Sequence, residues 1–367
     1  MIQRKSDSAT FVTGCGRSGT TLMLALLDNH PDLLVFPEEC IHLHFSEEIL
    51  GEDGNTLDFL FKDTTLIRLQ GEANRPGKYL DQRNYDSFDY TFFKEEVNNR
   101  FKKLREETTN KMFLPALALL SLIDGYGTAI GAGQYSRWVV KHPKYELYWP
   151  QLFNDFPKAK VIFMLRDPRE QILSKMLLSS AKRESQQRGG VEKWSPEMGN
   201  LKPPINYLKK WERSVIEFVK TRQAFSEQIL LVRFEDLLSN TESVMQEISD
   251  FLNISWHENL LNPTFLGMPW KGNSSQQRNY KGVNSSKSKK KYKLSPHHLW
   301  QIEAWMGQTM SEQPARYLPS GVLEKLDVKA LISRLPGENI LNFLRNRYRM
   351  MLNRHQCLHY WPEDQKK

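Results

Sequence analysis

The chain has 367 residues, 40% of them hydrophobic and 26% charged, a make-up that belongs to a folded globular protein and excludes a disordered one. Its longest nearly apolar run, 113–123, has 11 residues and contains Pro115 and Ser121, short of the roughly 20 that a membrane-spanning helix needs. The net charge is +8, and residues 271–293, with eight basic side chains and no acidic one, account for all of it. A nucleic-acid-binding face would spread such charge among aromatics, so no nucleic-acid partner is expected. One cationic segment suits a small polyanionic ligand, although 287–291 equally fits a solvated loop. No apolar stretch precedes residue 9, so no signal peptide is expected and the chain reads as cytoplasmic. Cys15, Cys40 and Cys357 are widely spaced and lack CxxC or His-rich neighbours, which predicts free thiols and no metal site.

Ala9–Thr13 is β-branched and aromatic and predicts a strand. The glycine-rich GCGRSGTT follows, and LMLALLDN then reads as a short buried helix ending before Pro31. LLVF at 33–36 predicts a second strand that stops at Pro37, and Trp138–Val140 a third. KVIFML at 160–165 is the clearest strand of all. After it, Asp167, Pro168 and Glu170 occupy N-cap, N1 and N3 of an aspartate capping box, predicting a helix over 168–180. Residues 228–232 give another strand, and 242–252 another helix. Strands alternating with helices predict an α/β fold with a P-loop-containing, mainly parallel sheet flanked by helices. The expected organisation is one domain over 1–367. Segments inserted at about 40–137 and 181–206 would cover the carboxyl edge of the sheet, where α/β ligand sites lie, and a helical extension would span about 321–367.

Residues 14–21 have the G-x4-G frame of a phosphate-binding loop, in which backbone N–H groups and a helix start cradle phosphate oxygens. Nucleoside triphosphatases carry Lys after the second glycine; here Thr20 stands there, so no γ-phosphate chemistry is expected. The cation has moved to Arg17, and Thr20 and Thr21 offer hydroxyls at the helix start, an arrangement suited to a nucleotide with a short 5′ chain. A tight strand-to-helix turn with Arg17 in solvent fits the same residues.

FVTGCGRSGTTLMLALLDNHPDLLVFPEE resembles the 5′-phosphosulfate-binding region of sulfotransferases that use 3′-phosphoadenosine 5′-phosphosulfate (PAPS), and VIFMLRDPREQILSKML resembles their 3′-phosphate-binding region. The arrangement is most similar to the tyrosylprotein-sulfotransferase-like and bacterial branch, closely over 9–39 and 138–180 and loosely over 228–310. The resemblance implies PAPS as sulfuryl donor, its bisphosphate (PAP) as product, no metal, and a loop formed by Gly16, Arg17, Ser18, Gly19, Thr20 and Thr21. A carboxylate at Glu38 or Glu39 would lie at the carboxyl edge and take the acceptor's proton if burial has raised its pKa; the resemblance selects Glu39. Lys141, before His142 and Pro143, holds the position of the family's lysine that contacts the transferred group, and His142 is the second candidate base. Arg166 and Ser174 are implied to hold the 3′-phosphate, although Arg166 alone would equally pair with Asp167 or Glu170. Phe234 stands where the family often places a Tyr against adenine, and a core role fits it as well. WKGNSS at 270–275 resembles the loop that closes over the donor, giving Lys271, Gly272, Asn273, Ser274 and Ser275 as further donor contacts.

The expected activity is transfer of a sulfuryl group to a hydroxyl acceptor. A carbohydrate or small natural product is favoured and a protein tyrosine second. Tyr85, Phe88, Tyr90, Phe92 and Phe93 are candidates to stack on it, although aromatics this dense also build cores. A P-loop nucleotide kinase would need a Walker-B strand ending in Asp, and none is evident. A non-catalytic nucleotide- or RNA-binding module would leave the acids at 38 and 39 and Lys141 without a purpose.

Overall fold

The computed structural model describes residues 6–40, 57, 60–62, 69, 88–108, 114–177, 205–270, 272 and 283. The chain divides into two units, 1–295 and 296–367, and every described residue lies in the first. The expected extension at 321–367 lies outside the described residues.

Five strands form one sheet: β1 (Ala9–Thr13), β2 (Leu33–Glu39), β3 (Arg137–Lys141), β4 (Lys160–Leu165) and β5 (Ile229–Arg233), in the order β2-β3-β1-β4-β5. All neighbours are parallel. Period-two alternation sends Val12, Val139, Ile162 and Val232 to one face, where they meet α1 (Thr20–Leu27) and α8 (Thr241–Leu252). In α8 the buried Met245, Ile248, Ser249 and Leu252 recur at helical spacing and form the stripe laid on the sheet. Phe11 and Phe163 point to the opposite face. Phe11 meets Trp138, Tyr145 and Phe156 there, and Phe163 stacks on Phe218 of α6 (Ile205–Ala224) with ring centroids 4.4 Å apart. Between β3 and β4 lies α4 (Trp149–Asp155), and after β5 the chain turns directly into α7 (Phe234–Ser239). A two-stranded hairpin, β6 (Thr264–Phe265) and β7 (Met268–Pro269), follows α8.

The strands at 9–13 and 160–165 and the α/β class agree with the sequence reading. β2 departs from it, running through Pro37 to Glu39. As the edge strand it can place the missing proline N–H away from β3, and its register shifts between Val35 and Glu39 to accommodate the irregularity. The helix at 168–177, here α5, starts at Pro168 as expected, and its end lies outside the described residues. Its cap differs from the expected box: Asp167 Oδ1 accepts from Arg169 N at 2.9 Å, and Asp167 N donates to the distant Glu235 at 3.0 Å where the box would have used Glu170.

The inserted segment over 40–137, in which the sequence offers helical pieces such as 91–106, contains two helices packed together, α2 (Tyr90–Glu107) and α3 (Leu114–Ala129). α3 is buried on nearly all sides, so its sequence carries no polar face to betray helical period. Among the expected acceptor-stacking aromatics, Phe93 is fully buried and touches Phe61, Phe88 and Tyr90, which makes Phe93 core, whereas Phe92 is exposed; Tyr85 lies outside the described residues. Among the described residues no helix is long and apolar enough to cross a membrane.

Phe11→Ala should destabilise the fold by about 3–5 kcal/mol, the usual cost of emptying an enclosed aromatic site. Phe92→Ala, at a position 40% exposed, should stay within about 0.5 kcal/mol of the parent. Urea denaturation of the two variants tests this assignment of the core.

Candidate functional site

Because all five strands are parallel, their C-terminal ends share one edge of the sheet, and the residues that leave them converge there. Thr13 opens the loop 14–19, Glu39 ends β2, Lys141 ends β3, Arg166 follows β4 and Phe234 follows β5. Glu39 and Lys141 are register partners in β2 and β3.

The loop has an unusual backbone. Arg17 adopts φ 79 and Gly19, the N-cap of α1, φ 99. For a non-glycine residue the left-handed region costs about 1–2 kcal/mol, and strain of this kind persists only when neighbours over-determine it. Three contacts do so. Arg17 Nε donates to Ser174 Oγ at 3.0 Å, Arg166 Nη1 donates to the Arg17 carbonyl at 3.1 Å, and Gln171 Nε2 donates to the Gly16 carbonyl at 2.7 Å. Two of these straps come from one face of α5. Phe234 completes the enclosure: a Cβ at Gly19 would overlap its ring, and the Arg166 guanidinium lies 4.5 Å from the ring centroid in a cation–π contact.

The electrostatics are those of a site built for an anion. Burial pushes the Arg17 pKa down, the like charge of Arg166 pushes it the same way, and Glu39 opposes both. Burial also lowers the pKa of Arg166, against the pull of Glu170, Glu235 and Asp167. Two buried polar atoms beside the loop, Ser18 Oγ and Arg166 Nε, have no hydrogen-bond partner among the described residues. Orphans of this kind are rare in native interiors, and a bound ligand is one thing that completes them. Burial pushes the pKa of the Cys15 thiol up to about 11.

Across the loop, Lys141 Nζ lies 2.7 Å from Glu39 Oε1 and 3.4 Å from Thr21 Oγ1, joining the carboxylate to the start of α1. The Lys141 side chain is 3% exposed and that of Glu39 35%. The expectation that burial prepares Glu39 is therefore corrected: Glu38 is the enclosed acid, at 1% exposure, and Glu39 is held by its ion pair. Alternation along β2 places the two carboxylates on opposite sides, and Glu39 faces Lys141. His142 is buried, with its ring 5.5 Å from that of Tyr145.

The structure thus brings together Gly16, Arg17, Ser18, Gly19, Thr20, Thr21, Glu39, Lys141, Arg166, Ser174 and Phe234. Lys271, Asn273, Ser274, Ser275 and the lysines of 287–293 lie outside the described residues, and Gly272 is described only by its left-handed backbone, φ 91. Sequence reasoning missed Gln171, although its place one turn before Ser174 on the same helix was a signal. It also missed Glu146, which no local pattern announces.

A family model described as "Sulfotransferase family" matches residues 9–258, more than two thirds of the chain. The chain belongs to this family. A comparison with curated proteins returns no match. Among solved structures, this sulfotransferase is similar to the sulfotransferase domain of the Synechococcus PCC 7002 olefin synthase, with 18% identity and a TM-score of 0.45 over 81% of this chain and 94% of that one. It is also similar to a sulfotransferase from Alicyclobacillus acidocaldarius, with 17% identity and a TM-score of 0.39 over 82% and 92% of the two chains. Retinol dehydratase in complex with androsterone and the inactive cofactor PAP matches with 16% identity and a TM-score of 0.33 over 85% and 83%.

The pressure of Phe234 on the loop has a measurable signature. Gly19→Ala and Phe234→Ala should each destabilise the protein, and the double variant should cost about 1–3 kcal/mol less than the sum, because removing the ring relieves the overlap that the new methyl creates. Thermal unfolding of the four chains measures the coupling; additive costs would show that the ring does not press on Gly19.

Proposed function

We propose that this sulfotransferase uses PAPS as donor and transfers its sulfuryl group to the hydroxyl of a small-molecule or glycan acceptor. The observation that carries this reading is the Lys141 ammonium lying between Glu39 and Thr21, at the mouth of a loop whose arginines and orphan donors await an anion. The donor fits these residues. Backbone amides of the loop with Ser18, Thr20 and Thr21 would hold the 5′-phosphosulfate, and Arg166 with Ser174 the 3′-phosphate. When bound, the donor supplies the sulfuryl group, and its S–O bond to phosphate breaks as the acceptor oxygen bonds to sulfur.

Glu39 takes the acceptor's hydroxyl proton. Its carboxylate is oriented by Lys141, so the base is aimed before the acceptor arrives. Lys141 is fixed by two oxygens and nearly excluded from water, and it neutralises charge that builds on the departing phosphate oxygen. Arg17, on the other side of the loop, steadies the sulfuryl oxygens. His142, enclosed against Tyr145, is the weaker candidate for the base. Membership of the sulfotransferase family favours this reading over the nucleotide-kinase alternative. The soluble setting and the preference for a carbohydrate or natural-product alcohol over a protein tyrosine belong to the same proposal, and acceptor screening with radiolabelled PAPS tests that preference.

Glu39→Gln should keep donor affinity and lower turnover by roughly 10² to 10⁴, the usual worth of general-base help, while His142→Ala should fall much less. Single-turnover assays at saturating PAPS read the difference, and a near-normal rate for Glu39→Gln would remove Glu39 from the role. Arg166→Ala should weaken binding of adenosine 3′,5′-bisphosphate by about 1.5–3 kcal/mol, and Ser174→Ala by less. Neither should change binding of adenosine 5′-phosphosulfate, which has no 3′-phosphate. Calorimetric titration in the presence of EDTA checks both claims, and abolition of binding by the chelator would speak against a metal-free donor site.

A further inference from the structure

Glu146 has no part in the chemistry above, yet it is a carboxylate buried directly behind the loop. It is 2% exposed and sits in a short 3-10 turn, Tyr145–Leu147, that follows β3. Thr13 Oγ1 donates to its Oε2 at 2.6 Å, and Ser214 Oγ donates to its Oε1 at 2.7 Å. Burial raises the pKa of this acid, and the hydrogen bonds from Thr13 and Ser214 oppose that shift. Enclosing a carboxylate is costly unless its lone pairs are filled in this way, and removing the acid leaves these buried donors unpaired together.

The donors come from two separate parts of the chain. Thr13 is the last residue of β1, directly before the loop, and Ser214 belongs to α6, the helix that follows 178–204. A second tie fastens α6 to the same edge, since Trp211 Nε1 donates to the Arg166 carbonyl at 3.4 Å. One carboxylate therefore fixes the point where the loop leaves the sheet and joins it to a helix that begins long after Glu146 itself.

We propose that Glu146 is a positioning residue for the 5′-phosphate end of the donor. It holds the hydroxyl of Thr13, the residue from which the loop departs, and so sets the take-off angle of the loop, which turns the later amides and Ser18 Oγ toward the ligand. Through Ser214 it makes α6 part of the same rigid unit. This inference rests on the reading of residues 14–21 as the donor's phosphate loop, and Glu146 acts on the ligand only through that loop.

The test compares two nucleotides on the full-length chain by calorimetry. Adenosine 3′,5′-bisphosphate engages the loop; adenosine 3′-phosphate has no group for it. Glu146→Ala should weaken the bisphosphate roughly tenfold or more, in line with losing hydrogen bonds to a charged group, and change adenosine 3′-phosphate less than about threefold. Glu146→Gln should restore bisphosphate binding to within about threefold of the parent, because its oxygen can accept from Thr13 while its amide donates to the Ser214 oxygen. If Glu146→Ala does not fold, Thr13→Val and Ser214→Ala each remove one donor, and Thr13→Val must show the same preference for loss at the 5′ end. Equal losses for both nucleotides would reduce Glu146 to a prop of the fold and overturn the proposal, as would an unchanged bisphosphate affinity in Glu146→Ala or Thr13→Val. A parent chain that binds the bisphosphate no better than adenosine 3′-phosphate would instead remove the phosphate-loop reading, and this proposal with it.

Discussion

The burial of two like charges, Arg17 and Arg166, at one end of the sheet is the constraint on which the rest of the site depends. Each guanidinium lies where burial disfavours its charge, and Arg166 adds to the difficulty of Arg17. The surrounding structure distributes the cost over Glu39 beside Arg17, over Asp167, Glu170 and Glu235 beside Arg166, and over the face of Phe234. Ser174 and the Arg17 carbonyl use part of the hydrogen-bonding capacity of the pair. What is left is positive charge held at fixed points, the form of preorganisation that electrostatic catalysis needs.

That constraint explains why the loop is braced so heavily. A left-handed arginine, a glycine with no room for a methyl and a carbonyl taken by Gln171 are each unfavourable or restrictive alone. Together they form a loop with few alternative conformations. The braces come from α5, α7 and the Glu146 turn, so the loop is shaped by elements distant in sequence, and the parallel sheet is what brings those elements to one edge.

How much of this was legible in the sequence follows from the range of each interaction. β1 and β4 declare themselves because a buried parallel strand is a short run of β-branched and aromatic residues between breakers, and the loop between β1 and α1 declares itself by its glycines. Arg17, Lys141 and Arg166 were found because each directly follows or interrupts such a pattern. β2 was cut short at Pro37 because the rule that proline ends a strand holds inside a sheet, and the sequence does not say which strand will be at the edge. α3 was missed because a helix enclosed on all sides has no polar stripe. Glu146 was invisible for a different reason. Its partners lie 133 and 68 residues away, and no local spacing encodes such a contact.

The position of Glu39 on β2 has a consequence for how the protein behaves in solution. An outermost strand is an open template whose unpaired amides can recruit a strand from another molecule. Here the candidate base stands on that margin, beside a residue that cannot donate a backbone hydrogen and a register shift that bends the strand. Among the described residues β2 is the margin of the sheet, and Pro37 interrupts the rail along which a foreign strand would zip there.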